Sequence, residues 1–173
     1  MEDVIALLDQ ITEEHQTTFR RLKDLGQVVN DVEAIAGLEK SRESFVPGRL
    51  DQKAGLQKMQ DILEIIAKGL EDHFNCEETR LLGAFERHGD RRLASTLNSL
   101  LQEHGEIRQR FANSQSQIAE LAKGEMSQNL WAASANDMRA YLNHSLKLVE
   151  KHAGVEQTLL TKLRKQLAGE LKK

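Results

Sequence analysis

Apolar residues recur along the chain at alternating spacings of three and four positions, which is the pattern of a helix that buries one face. Four stripes of this kind follow one another. The first runs from Val4 to Leu25 and continues less regularly to Leu38, the second from Leu56 to Ala84, the third from Leu93 to Leu121 and the fourth from Trp131 to Leu167. The pattern predicts an all-α protein with four long helices.

Turn-forming residues separate the stripes. The segment Ser41–Gly48 divides the first from the second, and Gly89 divides the second from the third. We expect Gly89 to adopt the left-handed conformation that often follows a helix end. Gly124 is expected to end the third helix, and Ser127 to cap a fourth helix over residues 128–170. These breaks favour an up-down-up-down antiparallel four-helix bundle over a single rod or coiled coil.

The composition agrees with this fold. Strong helix formers dominate, aromatic residues make up 4% of the chain, and a single proline, Pro47, leaves long segments unbroken. A length of 173 residues favours one domain over residues 1–173 and is enough for a real core without disulfide bonds.

Charge and cysteine content limit the kinds of partner and the cellular location that the sequence predicts. A formal net charge of −3 excludes a dedicated nucleic-acid binder and gives no basic patch for a membrane surface. No apolar run is long enough to span a bilayer, and the start of the chain lacks the positive region of a secretory signal. The single cysteine, Cys76, cannot form an internal disulfide. A cytoplasmic location is therefore expected.

Polar residues interrupt the apolar stripes at six positions where a core residue is expected. An uncompensated carboxylate in a helical core is costly, so two of them, each four residues after a histidine, require a partner or a bound ion. The six residues are His15, His73, Glu77, His104, His152 and Glu156.

The register of the helices places these residues together. Each pair of successive histidines is nearly equidistant from the turn between their helices, so all four are predicted to lie in one layer of the bundle. The two histidine–glutamate pairs have i,i+4 spacing, which puts both side chains on one helix face. The halves of the chain also echo one another: Glu14-His15 recurs as Glu103-His104, and the run His73 to Thr79 recurs as His152 to Thr158.

The chemistry of such a layer is metal binding. Imidazole and carboxylate suit iron, manganese and zinc, and six ligands are too many for one tetrahedral zinc. Two metal ions fit better, each with two histidines, and with Glu77 and Glu156 as bridges. Two histidines and a carboxylate around an open position are typical of non-haem iron.

At these residues the sequence resembles the hemerythrin-like, or HHE cation-binding, family, from about residue 5 to residue 168. The resemblance rests on the Glu-His pairs of the first and third helices and the His-x-x-x-Glu motifs of the second and fourth. It implies a four-helix bundle around two iron ions per chain, bridged by two carboxylates and an oxo or hydroxo group.

Two positions depart from the oxygen-carrying hemerythrins. Those proteins have a second histidine where this chain has Arg108, and an aspartate five residues after the last histidine where this chain has Glu156 four residues after His152. The set of four histidines and two glutamates is closer to the di-iron repair proteins and the iron and oxygen sensors. The resemblance therefore implies O₂, NO or peroxide as the small molecule, in stress defence, iron–sulfur repair or sensing.

Other functions stay open from the sequence. The chain is a catalyst, or a helical regulatory module in which metal tunes stability and partner binding, or a metal store without redox turnover. Whether it is an enzyme and which protein partner it has are both undecided. Cys76, Glu78 and Arg108 lie beside the predicted site, and a surface salt bridge is the simplest role for Arg108.

Overall fold

A computed structural model describes residues 2–30, 50–123 and 125–170. These residues form helices and contain no strand, and they confirm the all-α four-helix bundle. The second bundle helix consists of two α-helices joined by a π-helical turn, and the third consists of two consecutive α-helices. The elements are α1 (Glu2–Asn30), α2 (Leu50–Cys76), the π turn (Glu77–Leu81), α3 (Leu82–His88), α4 (Arg91–Leu101), α5 (Glu103–Lys123) and α6 (Gln128–Glu170).

The predicted stripes are the buried faces of these helices. Between Val4 and Leu25 the first stripe consists of Val4, Leu8, Ile11, His15, Thr18, Leu22 and Leu25, and all are buried except Thr18, which is half-buried. The residues that continue the pattern in the other three stripes are also buried, including the remaining five polar residues. The part of the first stripe near Leu38 lies outside the described residues.

The chain divides into two compact units, each built from segments of all four bundle helices. The first comprises Met1–Arg20, Lys68–Arg108 and Leu148–Lys173. Its core is a continuous apolar cluster of Val4, Leu7, Leu8, Ile11, Leu81, Ala84, Phe85, Leu93, Leu97, Leu100, Leu101, Leu159, Leu160, Leu163 and Leu167. All six polar stripe residues belong to this first unit.

The second unit comprises Arg21–Ala67 and Gln109–Lys147. Its buried side chains include Leu22, Leu25, Leu63, Ile66, Phe111, Ile118, Trp131 and Leu142. The indole Nε1 of Trp131 donates a hydrogen bond to the Leu121 carbonyl at 3.0 Å. This pairing satisfies the polar atom of a side chain that is otherwise packed in an apolar core.

The break at Gly89 is confirmed, but its predicted conformation is wrong. Gly89 has φ −85° and ψ 159°, which is extended backbone. Its nitrogen donates to the Phe85 carbonyl at 2.8 Å, and a Cβ on Gly89 would lie 2.6 Å from that carbonyl oxygen. Close backbone approach, and not a left-handed conformation, therefore explains the glycine.

The helix starts are capped by polar side chains. Asp90 accepts a hydrogen bond from the Leu93 nitrogen at 2.8 Å and caps α4. The predicted cap of α6 is present but long, with Leu130 donating its backbone N–H to Ser127 Oγ at 3.5 Å. The segment Ser41–Gly48 and Gly124 lie outside the described residues.

The sequence did not predict two irregularities in the bundle helices. In the π turn, the Leu82 N–H donates to the Glu77 carbonyl, five residues earlier. At Gln102 the chain leaves regular α-helix between α4 and α5, although φ −64° and ψ −23° stay in the helical region. Neither place contains a glycine or proline, the residues by which a sequence usually indicates a break in a helix.

None of the described helices is long and apolar enough to cross a membrane.

Candidate metal centre

Four helices each contribute one buried histidine to the candidate centre: His15 from α1, His73 from α2, His104 from α5 and His152 from α6. At most 5% of any of these residues is exposed. Glu77, at the start of the π turn, and Glu156, on α6, are completely buried.

The structure sorts these six residues into two groups, each able to hold a metal ion. The first contains His15, His73, Glu77 and Glu156, and the second contains Glu77, His104 and His152. Within each group the potential ligand atoms lie within 4.8 Å of one another. Neither group includes His88 or His144.

Glu77 is the residue that the two groups share. Its Oε1 lies 2.6 Å from His73 Nε2 and 3.6 Å from His15 Nε2, and its Oε2 lies 3.2 Å from His104 Nε2. Despite these short distances, neither oxygen has a partner with hydrogen-bonding geometry. The carboxylate is therefore surrounded by nitrogen atoms in the manner of a ligand to two ions.

Glu156 belongs to the first group alone. Its Oε2 lies 3.1 Å from His15 Nε2 and 4.0 Å from His152 Nε2, and its Oε1 has no hydrogen-bond partner. Bridging by Glu156 stays a prediction, since the structure brings this carboxylate closest to the first group.

Three carboxylates outside these groups hold the histidine rings. The Nδ1 atoms of three histidines donate to them: His73 to Glu14 at 2.7 Å, His104 to Glu78 at 2.8 Å and His152 to Glu103 at 3.1 Å. An ionised carboxylate only accepts hydrogen bonds, so each Nδ1 carries the proton. In a neutral ring held this way, Nε2 points inward with a free lone pair, which is the arrangement found around metal-bound histidines.

His104 and His152 face one another within the second group, with their Nε2 atoms 3.1 Å apart. Burial lowers the pKa of His152, aided by the charge of His104, although Glu103 opposes this. A neutral His152 that donates through Nδ1 presents a lone pair at Nε2 towards His104. This close approach is favourable when a proton or a metal ion lies between the two nitrogen atoms.

The distances fit coordination to a first-row metal. Two ligand atoms about 2.1 Å from one ion lie about 3.0–3.4 Å apart at angles of about 90–109°. Three contacts fall in this range: His104 Nε2 with His152 Nε2, His15 Nε2 with Glu156 Oε2, and His104 Nε2 with Glu77 Oε2. Four buried polar atoms without hydrogen-bond partners also point to an ion, namely His15 Nδ1, both oxygens of Glu77 and Glu156 Oε1. The residues therefore fit a metal centre.

Protons take the place of metal charge in the metal-free protein. Burial would lower the pKa of His15, but its hydrogen bond to Glu156 and the nearby Glu77 outweigh burial and raise that pKa to about 10. Burial and the charge of Glu77 raise the pKa of Glu156 to about 7, against the effect of His15. Burial would also raise the pKa of Glu77, but the three facing imidazoles hold it well below its usual range.

Sequence reasoning did not assign the supporting residues. Glu14 and Glu103 were visible as the first members of the repeated Glu-His pairs, yet each binds the histidine of another helix. The sequence gives no role to Phe74, whose ring stacks on His104 with centroids 3.8 Å apart and an angle of 12°. The repeat of the Glu-His pair could have indicated a role for Glu14 and Glu103, since the glutamate recurs together with the histidine.

Several neighbouring residues stay outside both groups. Arg108 forms the expected salt bridges, with Glu71 at 2.7 Å and Glu78 at 2.9 Å. His144 is exposed. Cys76 is a half-buried free thiol, and burial raises its pKa, which favours the unreactive protonated form.

Comparison with known protein families identifies a cation-binding domain. The model of the hemerythrin HHE cation binding domain matches residues 6–163, a span that includes every residue of both groups. Comparisons with curated proteins and with solved structures find no match.

Proposed function

Since the chain belongs to the hemerythrin HHE cation-binding family, we propose that His15, His73, Glu77, His104, His152 and Glu156 bind two iron ions and that the centre engages O₂, NO or peroxide. The observation that carries the proposal is the pair of facing Nε2 atoms of His104 and His152, 3.1 Å apart and both oriented by carboxylates. Glu77 would be the ligand common to both ions.

The donor set suits iron and disfavours a single tetrahedral zinc, and the family resemblance is what selects iron among the remaining first-row metals. Four imidazoles and two carboxylates supply no thiolate and exceed what one tetrahedral zinc requires. Shared between two ions, they leave coordination positions open for a small molecule. Iron with such positions supplies redox chemistry and diatomic-ligand binding.

The protein's own contribution is orientation and exclusion of water. Glu14, Glu78 and Glu103 hold three Nε2 atoms inward, and the buried cluster beside Leu81, Phe85 and Leu160 closes the core. The physiological role within this proposal is stress defence, iron–sulfur repair or sensing, in a cytoplasmic setting that suits the free thiol of Cys76.

Metal analysis of protein purified from iron-replete cells tests the proposal. We expect two iron ions per chain in the native protein. The His104→Ala variant should lose iron, whereas His144→Ala, which removes an exposed histidine of α6, should keep both ions. One zinc ion and no iron, or equal metal content in both variants, would contradict the proposed centre.

Ligand binding and turnover separate the roles. Anaerobic titration of the reduced, iron-loaded protein with NO should change its optical spectrum with saturation. Repeated consumption of NO or peroxide under multiple-turnover conditions indicates a catalyst. A single change per ligand, accompanied by altered partner binding, indicates a sensor, and no response to O₂, NO or peroxide indicates storage.

A further inference from the structure

The two halves of the chain place equivalent residues around the two histidines that come from α1 and α5. Alignment of the repeated motifs pairs His15 with His104, His73 with His152, and Glu77 with Glu156. The supporting contacts follow this pairing in part, because Glu14 holds His73 just as Glu103 holds His152. The halves differ at Glu78, because its contact with His104 has no counterpart at His15 among the described residues.

His104 is supported on two sides. Glu78 accepts a hydrogen bond from its Nδ1 at 2.8 Å, and Phe74 stacks on its ring. Arg108 fixes both supports, since it donates to the same Glu78 oxygen at 2.9 Å and its guanidinium carbon lies 5.2 Å from the Phe74 ring centroid. These contacts restrict the ring of His104 to one orientation.

His15 has none of these supports. Among the described residues, its Nδ1 is buried without a hydrogen-bond partner, and its Nε2 lies close to the carboxylates of Glu156 and Glu77. At the positions equivalent to Glu78, Phe74 and Arg108, the other half of the chain has Gln157, Ala153 and Phe19. At each of these positions His15 therefore lacks the charge or the ring that restrains His104.

The backbone differs between the halves at the same place. Glu77 and Glu78 lie in the π turn, whereas their equivalents Glu156 and Gln157 lie within the long α-helix α6. A π turn adds a residue to one helical turn and changes the direction of the side chains it carries, and such turns are frequent at functional sites. Here it carries both the shared carboxylate and the support of His104.

We propose that Glu78 makes the two metal positions unequal. The position of His15 and His73 has the additional carboxylate of Glu156, but the restraint of His104 by Glu78 outweighs it, so that the position of His104 and His152 binds metal first and more tightly. Glu78 is a positioning residue, since it touches a ligand and not the metal. This inference rests on the proposed function, because it requires both positions to bind metal. The weaker position would be the one that exchanges its ion.

Binding of ferrous iron under anaerobic conditions, measured by competition with a chelator, tests the inequality. The wild-type protein should take up two ions in two steps of different affinity. Glu78→Gln should weaken the tighter step by about 10- to 100-fold and leave the weaker step unchanged, which is the usual cost of losing a carboxylate behind a metal-bound histidine. Glu71→Gln removes a carboxylate from the same arginine without touching a histidine, so both steps should change by less than about threefold.

A second variant protects the test against a misfolded Glu78→Gln. Glu78→Asp keeps a carboxylate beside His104, so it should weaken the tighter step less than Glu78→Gln does, and far-UV circular dichroism shows whether both variants fold. Uptake of two ions with equal affinity, unaffected by Glu78→Gln and Glu78→Asp, would overturn this inference alone. Uptake of fewer than two ions by the wild-type protein would instead overturn the proposed di-iron centre.

Discussion

Glu14 Oε2 accepts a hydrogen bond from His73 Nδ1 at 2.7 Å, so this glutamate supports a histidine of α2 and not its chain neighbour His15. Glu103 does the same for His152 across α5 and α6. Each Glu-His pair therefore performs two tasks, because the histidine faces the centre and the glutamate orients the histidine of the following bundle helix.

Removing the Glu14 carboxylate should weaken metal binding without removing a ligand. Glu14→Gln leaves His73 free to adopt the other tautomer, and we expect a loss of about 10- to 100-fold in affinity for ferrous iron. Glu13→Gln, an exposed neighbour on the same turn, is the matched control and should bind as the wild type does. Chelator competition measures both. Equal affinities would show that the contact with His73 is incidental.

Glu77 should matter to both ions. It belongs to both groups of ligand atoms, whereas His15 belongs to one. Glu77→Ala should therefore lower the metal content by more than one ion per chain, and His15→Ala by about one ion. Metal analysis after gel filtration gives the comparison. Identical losses in the two variants would argue against a shared carboxylate.

The stability of the metal-free protein should fall as pH rises. The folded-state pKa of His15, about 10, exceeds the value of about 6.5 in the unfolded chain. Its stabilising contribution is therefore complete below about pH 6.5 and is lost as pH rises towards about 10. The raised pKa of His73 acts in the same direction. Metal binding displaces these protons, so the metal-loaded protein should not show the same loss.

Thermal unfolding between about pH 7 and about pH 9.5 measures this difference. The Tm of the metal-free protein should decrease over this window by several degrees more than the Tm of the iron-loaded protein. At pH 7 the iron-loaded form should already melt higher, because only the folded state offers the complete site. Two curves that run together at every pH would show that the buried layer holds no metal.

Gly89 should not tolerate a side chain. A Cβ there would lie 2.6 Å from the Phe85 carbonyl oxygen, a backbone atom of α3 that cannot move independently. Gly89→Ala should reduce the free energy of unfolding by about 1–3 kcal/mol. In Gly83→Ala, the new Cβ meets only the end of Arg87 at 3.9 Å, and the variant should gain about 0.5–1 kcal/mol from helix propensity. Denaturant unfolding of the metal-free proteins distinguishes them.

The bundle and its polar layer were predictable from periodicity because burial follows the 3.6-residue repeat. Stripe residues such as Leu8, Leu63 and Leu163 are completely buried, and the same repeat placed His104 and Glu156 in the core. The sequence predicted that Glu77 and Glu156 both bridge, whereas the structure places Glu77 in both groups and Glu156 in one. This difference was not predictable, since it depends on distances below the length of one helical turn. The support of His104 by Glu78 depends on the π turn, which leaves no periodic signal.

Gly89 shows a different limit of sequence reasoning. A glycine between two helical stripes is compatible both with a left-handed residue and with an extended one in close contact with backbone. Only the tertiary path into α4, fixed by the Asp90 cap, decides between them. The residue type was therefore informative about the position of the turn but not about its geometry.

The contact between His15 and Glu156 joins positions 141 residues apart, and it has a consequence for how the protein is made. Each group of ligands includes a residue of α6: Glu156 completes the first and His152 completes the second. During synthesis on the ribosome, the first three bundle helices emerge before either group is whole. Neither group can therefore be complete before α6 has been synthesised, and a nascent chain that stalls before His152 lacks a ligand of each group.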